Sequence, residues 1–219
     1  MSYICVLDFE ATCWENMTNK KHEIIEFPSV LLLWDKGTNE IKEISKTQIY
    51  CKPKNNSILS EFCKDLTKIK QKDVDDGISF PDALKKHEEW IEEHIPNYEK
   101  EDVTILTCGA WDLVHCAPDE FRNWEIWYPP AIYMKFINIK NDFEKLYGEN
   151  AGGMMGMLKY LAIEHVGIHH SGIWDCVNIA NIFKRMVKDG YREPVIKHSG
   201  FMPKKKYRKK KVETITTNL

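Results

Sequence analysis

Five side chains of this 219-residue sequence are of the types, and at the spacings, that metal-assisted hydrolysis needs. Asp8 and Glu10 stand two apart at the end of the apolar run YICVLDF at 3–9. Residues i and i+2 of a strand point to one face. The two carboxylates therefore share a strand tip and form half of a cage for a hard divalent cation. Asp112 follows a second apolar run, DVTILTC at 102–108, and Asp175 opens a periodic apolar segment. Three separated elements can thus bring four acids to one pocket. Mg²⁺ takes carboxylate and water oxygens and keeps positions open for phosphate. Four bare acids repel one another, so such a cluster calls for cations. His170 lies five residues before Asp175, in the loop HHSGIWD. With an ordinary pKa of about 6.5, a histidine there suits a general base that activates water.

The elements that must position these groups follow from the apolar pattern. The run at 3–9 reads as a central strand. Residues 13–23 are polar and read as a loop. A second strand is expected at 24–34, with Pro28 marking a bulge or an edge. DKGTN at 35–39 supplies turn chemistry. A half-exposed third strand follows at 40–51, so that the three form an antiparallel meander. Ser60 caps a short helix to Leu66. Ser79 or Pro81 opens a longer one, with Leu84, His87, Trp90 and Ile91 on one face. The run at 102–108 is a buried strand, and a helix can begin at Asp112. Residues 119–133 read as irregular. Helices are expected at 138–146, 154–163 and 175–188. The methionines at 154, 155 and 157 read as core. The fold class expected is α/β: one mixed five-stranded sheet flanked by helices, over residues 1–200.

Taken singly, each chemical signal has a bland reading: a solvated strand end, a helix cap, a surface histidine. Their order is the informative part: strand-DxE, then strand-GxWD, then HxxxxD entering a helix. In that order the sequence resembles the DEDD-h (DnaQ-like) 3′–5′ exonucleases of the ribonuclease H-like fold, and among them the Eri-type exoribonucleases. The resemblance runs through DFEATC at 8–13, the linker region at 59–84, CGAWDL at 108–113, FINIKNDFEKLYG at 136–148 and HHSGIWDCVNIANI at 169–182. It covers about residues 3–197. It implies two Mg²⁺ ions, replaceable by Mn²⁺. Asp8 would bridge both, Glu10 and Asp175 would complete one site, and Asp112 would hold the second ion through water. It implies that His170 deprotonates the attacking water and that Glu10 takes part in catalysis. It implies contacts to the terminal nucleotide from Glu10, Ala11, Thr12, Trp111 and His170. The product would be a nucleoside 5′-monophosphate released from an RNA 3′ end. A DNA substrate, or a non-catalytic module that binds RNA 3′ ends, are the alternatives.

The sequence departs from that family at Trp174, where an acid usually precedes the last aspartate. Trp174 is expected to pack the helix start, with base stacking as the second reading. Trp14 stands where a polar residue is common. His169 competes with His170 and receives a packing or substrate-edge role. His165, His169 and His170 are also candidate zinc donors, but no cysteine is spaced to join them.

Composition narrows the class. Lys and Arg number 31 and Asp and Glu 33, yet KKKYRKKK at 204–211 holds seven of the basic residues. Residues 1–203 carry 24 basic against 32 acidic groups, a formal −8. An acidic body argues against a broad nucleic-acid-coating surface and permits a carboxylate cleft. The basic segment, in a tail at 201–219 expected to be disordered, reads as an RNA phosphate clamp or a nuclear address. No SAP-like segment is expected ahead of the first strand, so further RNA grip is assigned to the domain or the tail. Seven cysteines with no CxxC pair fit reduced thiols in the cytoplasm or nucleus. No apolar run approaches the length of a membrane span, and no signal peptide is read at residues 1–7.

Overall fold

In a computed structural model the described residues are 1–16 and 20–201; the basic segment at 204–211 lies outside them. Strands β1 (Ser2–Leu7) and β2 (Glu10–Ala11) lead to β3 (Ile24–Asp35) and β4 (Glu40–Tyr50). Helices α1 (Glu61–Thr67), α2 (Gln71–Asp75) and α3 (Phe80–His94) follow. Then come β5 (Val103–Thr107), α4 (Ala117–Asn123), β6 (Lys135–Asn138), α5 (Ile139–Tyr147), α6 (Met154–Tyr160), α7 (Gly172–Lys188) and β7 (Ile196–His198).

The mixed sheet expected from the sequence is present. β1 pairs antiparallel with β3, which pairs antiparallel with β4. On its other side β1 pairs parallel with β5, and β5 with β6. Two short strands, β2 and β7, raise the strand number among the described residues from the expected five to seven. From Ile4 to Leu7, β1 is apolar because both of its faces are covered. Ile4 and Val6 pack with Val30, Leu32 and Trp34 beneath α5, α6 and α7. Cys5 and Leu7 pack with Phe27 and Leu31 beneath α3 and α4. On this second side His87 is fully buried, bonded to Ser29 Oγ and Tyr133 Oη at 2.8 Å each and stacked on Phe27. Burial pushes its pKa down to about 3, so it is a neutral core residue.

The first strand does not run unbroken through residues 3–9. Leu7 pairs with Ser29, and Glu10 resumes pairing with Glu26. Asp8 and Phe9 therefore interrupt the ladder where the acids are needed. Pro28 is neither at an edge nor at a bulge: the extra residue of the β2–β3 ladder is Ile25, and that of the β3–β4 ladder is Ile44 of β4. It sits opposite the Asp8–Phe9 break, where β3 can forgo a donor on that side.

Other expectations are corrected. A helix runs to Asn123, inside the stretch read as irregular; its first turn carries Asp119 and Glu120, which favour a helix start. β6, at 135–138, is a four-residue strand in a segment read only from residue 138 as a helix. The last long helix begins at Gly172, three residues before Asp175. Met154 and Met157 are core, but Met155 points to solvent. Among the described residues, no helix is long and apolar enough to cross a membrane.

Candidate active site

Asp8 enters at the break after β1, and Glu10 begins β2 on the same side. Asp112 begins a π-helical turn, Asp112–Cys116, after β5. Its Oδ1 accepts the Phe9 N–H at 3.0 Å, which ties this turn to the break in the first strand. Asp175 lies in the first turn of α7. Oxygens of Asp8, Glu10 and Asp175 lie within 4.8 Å of one another. Asp112 is the charge that Asp8 feels most strongly. The four acids expected from the sequence are thus gathered, with Asp112 and Asp175 both buried.

Their electrostatics are those of a site built for cations. Burial, then Asp112, Glu10 and Asp175, raise the Asp8 carboxyl well above the ordinary range. Burial, then Glu26, Asp175 and Asp112, push Glu10 up to about 9. Burial raises Asp112 and Asp175 to about 6 each, against the opposing N–H bonds from Phe9 and His170. Asp175 Oδ1 is buried without a hydrogen-bond partner. A buried orphan oxygen amid like charges fits a divalent cation. Asp8, Glu10 and Asp175 would hold one directly, with Asp112 alongside.

The histidine loop is held by features that the sequence reading missed. His170 adopts a left-handed backbone, φ 64°, and its N–H donates to Asp175 Oδ2 at 3.0 Å. A non-glycine residue held in that region marks local strain of the kind found at functional sites. Asn178, fully buried on α7, grips the loop at Val166. Its Oδ1 accepts the Val166 N–H at 3.0 Å, and its Nδ2 donates to the Val166 carbonyl at 2.8 Å. Glu26 is buried beside Glu10 and accepts the N–H groups of Gly172 and Ile173 at 3.3 and 3.2 Å. A carboxylate from β3 therefore caps the free N-terminus of α7. Gly172 lets the helix come this close: a Cβ there would lie 2.7 Å from both the Asp8 carbonyl oxygen and Pro28 Cγ. One signal for Glu26 was visible, a lone acid within the apolar run IIEFPSV. Asn178 had none, since a polar residue on an amphipathic helix reads as surface.

The remaining expected residues lie in and beside β2 and at the start of the Asp112 turn. Ala11 is buried, and its carbonyl receives the Cys63 thiol at 3.7 Å. Thr12 is buried, and its hydroxyl accepts the Glu23 N–H at 2.9 Å. Trp111 is 40% exposed and forms a row of rings with His22 and Trp14, with centroid spacings of 5.9 and 6.0 Å. His22 Nδ1 lies 2.6 Å from the Thr12 carbonyl, which fixes this row beside the strand tip. Trp174 lies against Gly167, where a Cβ would come within 2.2 Å of the indole, so one face of its ring is covered. Its exposed remainder borders a groove of about 400 Å³ with Glu26, Lys46, Gln48 and Tyr50.

The sequence matches the family model RNase_T, described as exonuclease, over residues 5–183. The chain belongs to this exonuclease family. It is 39% identical over 196 residues to 3′-5′ exoribonuclease 1 of Mus musculus, covering 86% of this chain and 54% of that protein. It is 33% identical over 202 residues to ERI1 exoribonuclease 2 of Xenopus laevis, covering 86% of this chain and 29% of that protein. The chain thus spans about half or less of the length of these curated relatives. A crystal structure of the nuclease domain of 3′hExo, a DEDDh family member bound to rAMP, superposes with a TM-score of 0.80 at 36% identity. It covers 90% of this chain and 96% of that domain. The DEDD-h, Eri-type resemblance and the ribonuclease H-like fold expected from the sequence are borne out. Membership of this exonuclease family carries with it the use of a divalent metal.

Proposed function

We propose that this chain is a 3′–5′ exoribonuclease that releases nucleoside 5′-monophosphates from RNA 3′ ends. The observation that carries this reading is the convergence of the Asp8, Glu10 and Asp175 oxygens within 4.8 Å, with the His170 N–H on Asp175. Two Mg²⁺ ions, replaceable by Mn²⁺, fit the donor set of Asp8, Glu10, Asp112 and Asp175. When bound, they supply charge neutralisation for an attacked phosphodiester and acidify water. Asp8 and Glu10 present their oxygens from the break in the first strand, and Asp175 presents its orphan oxygen from α7. His170 takes the proton from the attacking water. Loss of solvation, and then the neighbouring His169, hold its pKa below the ordinary value, so the ring is neutral and able to accept at pH 7. Ala11 and Thr12 line the terminal nucleotide, and the exposed ring of Trp111 offers it a stacking face. The rAMP bound to the related nuclease domain is the product class expected here.

Residues 1–200 form the exonuclease domain in this reading. Phe201, assigned to the tail by its sequence, is buried against Phe121 and extends the packed core by one residue. A nuclear or cytoplasmic setting fits the seven free thiols. The test is product analysis on 3′-ended RNA, with DNA as competitor, with Mg²⁺ and with EDTA. Asp8→Ala and His170→Ala are each expected to remove 5′-nucleotide release while melting as folded proteins. Undiminished release by either purified variant would refute the assignment.

A further inference from the structure

The catalytic carboxylates are not the only metal-fitting group that contains Asp175. Ring nitrogens of His169 and His170 and an Asp175 carboxylate oxygen also lie within 4.8 Å of one another. In extended chain, successive side chains point to opposite sides. The left-handed turn at His170 cancels that alternation and stacks the two rings with centroids 3.8 Å apart. A third imidazole stands close by. The His165 ring lies 5.9 Å from that of His169, and its Nε2 is buried without a hydrogen-bond partner. His165 is also near enough to Asp175 to draw its carboxyl pKa down.

We propose that His169, His170 and Asp175 form a second metal site, selective for Zn²⁺ and inhibitory. Two imidazole nitrogens and one carboxylate oxygen make a donor set that suits Zn²⁺ and similar transition ions, whereas Mg²⁺ prefers oxygen. The fourth position is open to water or to His165. The inhibitory consequence rests on the nuclease reading above; the binding itself does not. Zn²⁺ at this site takes the lone pair with which His170 would accept a proton. It also engages Asp175, which the carboxylate group needs for its own cation. Occupation of one group therefore opposes occupation of the other. His169 belongs to the nitrogen-rich group alone, so it separates the two.

The test uses the purified chain with saturating Mg²⁺ and a ZnCl₂ titration of nucleotide release. Wild type is expected to be inhibited at Zn²⁺ concentrations far below that of Mg²⁺. Outer partners of metal sites are already worth about 10–100-fold in affinity. Loss of a direct ligand in His169→Ala is therefore expected to raise the half-inhibitory Zn²⁺ concentration by at least about tenfold, measured against that variant's own Mg²⁺-supported rate. Equal half-inhibitory concentrations in the two proteins would overturn the site and place Zn²⁺ on the carboxylates alone. A second readout is independent of catalysis. Co²⁺ added in the presence of Mg²⁺ is expected to give a visible ligand-field band in wild type that His169→Ala loses. A band unchanged by that substitution, or absent from wild type, would overturn the site even if no nucleotide were released by any form.

Discussion

At the scale of single residues, the site is a set of carboxyl groups that the fold alone makes uncomfortable. Asp8 and Glu10 have raised pKa values, Glu10 up to about 9, chiefly through burial and mutual repulsion. The folded state therefore holds protons that an unfolded chain, with carboxyl pKa values of about 4, has already released. Stability from these groups is present below the unfolded value and is lost as pH rises through the folded one. His87 works in the opposite direction, but its pKa is lowered to about 3, so its influence is constant once the pH exceeds about 6.5. Between pH 7 and 9 the carboxyl groups dominate. The EDTA-treated protein is expected to show a falling Tm across that range, and Mg²⁺ is expected to flatten the fall. A Tm rising with pH in EDTA would contradict this account. These acids were legible in the sequence because each ends an apolar run or begins a periodic one. Glu26 was less so: whether a lone acid in such a run is exposed or caps a distant helix depends on packing that no local pattern encodes.

At the scale of elements, catalytic geometry depends on how closely α7 approaches the break between β1 and β2. Gly172 sets that distance. Its substitution by alanine places a methyl group 2.7 Å from the Asp8 carbonyl oxygen and Pro28 Cγ. Overpacking of this kind typically costs about 1–3 kcal/mol. The displaced helix carries Asp175 and His170 with it, and a misplacement of about 1 Å can cost about 100-fold in rate. Gly172→Ala is expected to lower kcat by more than its lowered Tm would suggest, as steady-state kinetics beside thermal melts will show. The long strands and α1, α3 and α5 were readable because their patterns are regular and their caps, Ser60, Ser79 and Asn138, are of the right type. The first residues of α7 were not, since their cap comes from β3 rather than from the preceding chain. The three-residue β7 and five-residue α2 are too short for a period to register.

At the scale of the whole molecule, charge and chemistry are divided. Residues 1–203 carry a formal −8, while seven basic residues crowd 204–211. An acidic body around a carboxylate cluster attracts cations and repels phosphate, so a polyanionic substrate needs basic groups from elsewhere. Each phosphate that the basic segment neutralises on single-stranded RNA adds about 0.7 to the slope of log K against log salt. Removal of residues 204–219 is expected to flatten that slope in RNA binding, while Mg²⁺-dependent cleavage of a dinucleotide stays unchanged. An unaltered slope would assign RNA grip to the domain itself. The division was visible in composition, whereas the way the acids gather was not: it comes from a sheet whose central strand is interrupted for two residues.

That interruption also leaves a reporter inside the cleft. The Phe9 N–H ends on Asp112 Oδ1 rather than in the ladder, and the His170 N–H ends on Asp175 Oδ2. Two main-chain amides thus sense the electron density of two different carboxylates. In a nitrogen-15 correlation spectrum their resonances are expected to move as a divalent ion arrives, each reporting its own carboxylate. Loading could then be followed without any nucleic acid in the tube, and a titration that moved neither signal would mean that the ion had gone elsewhere.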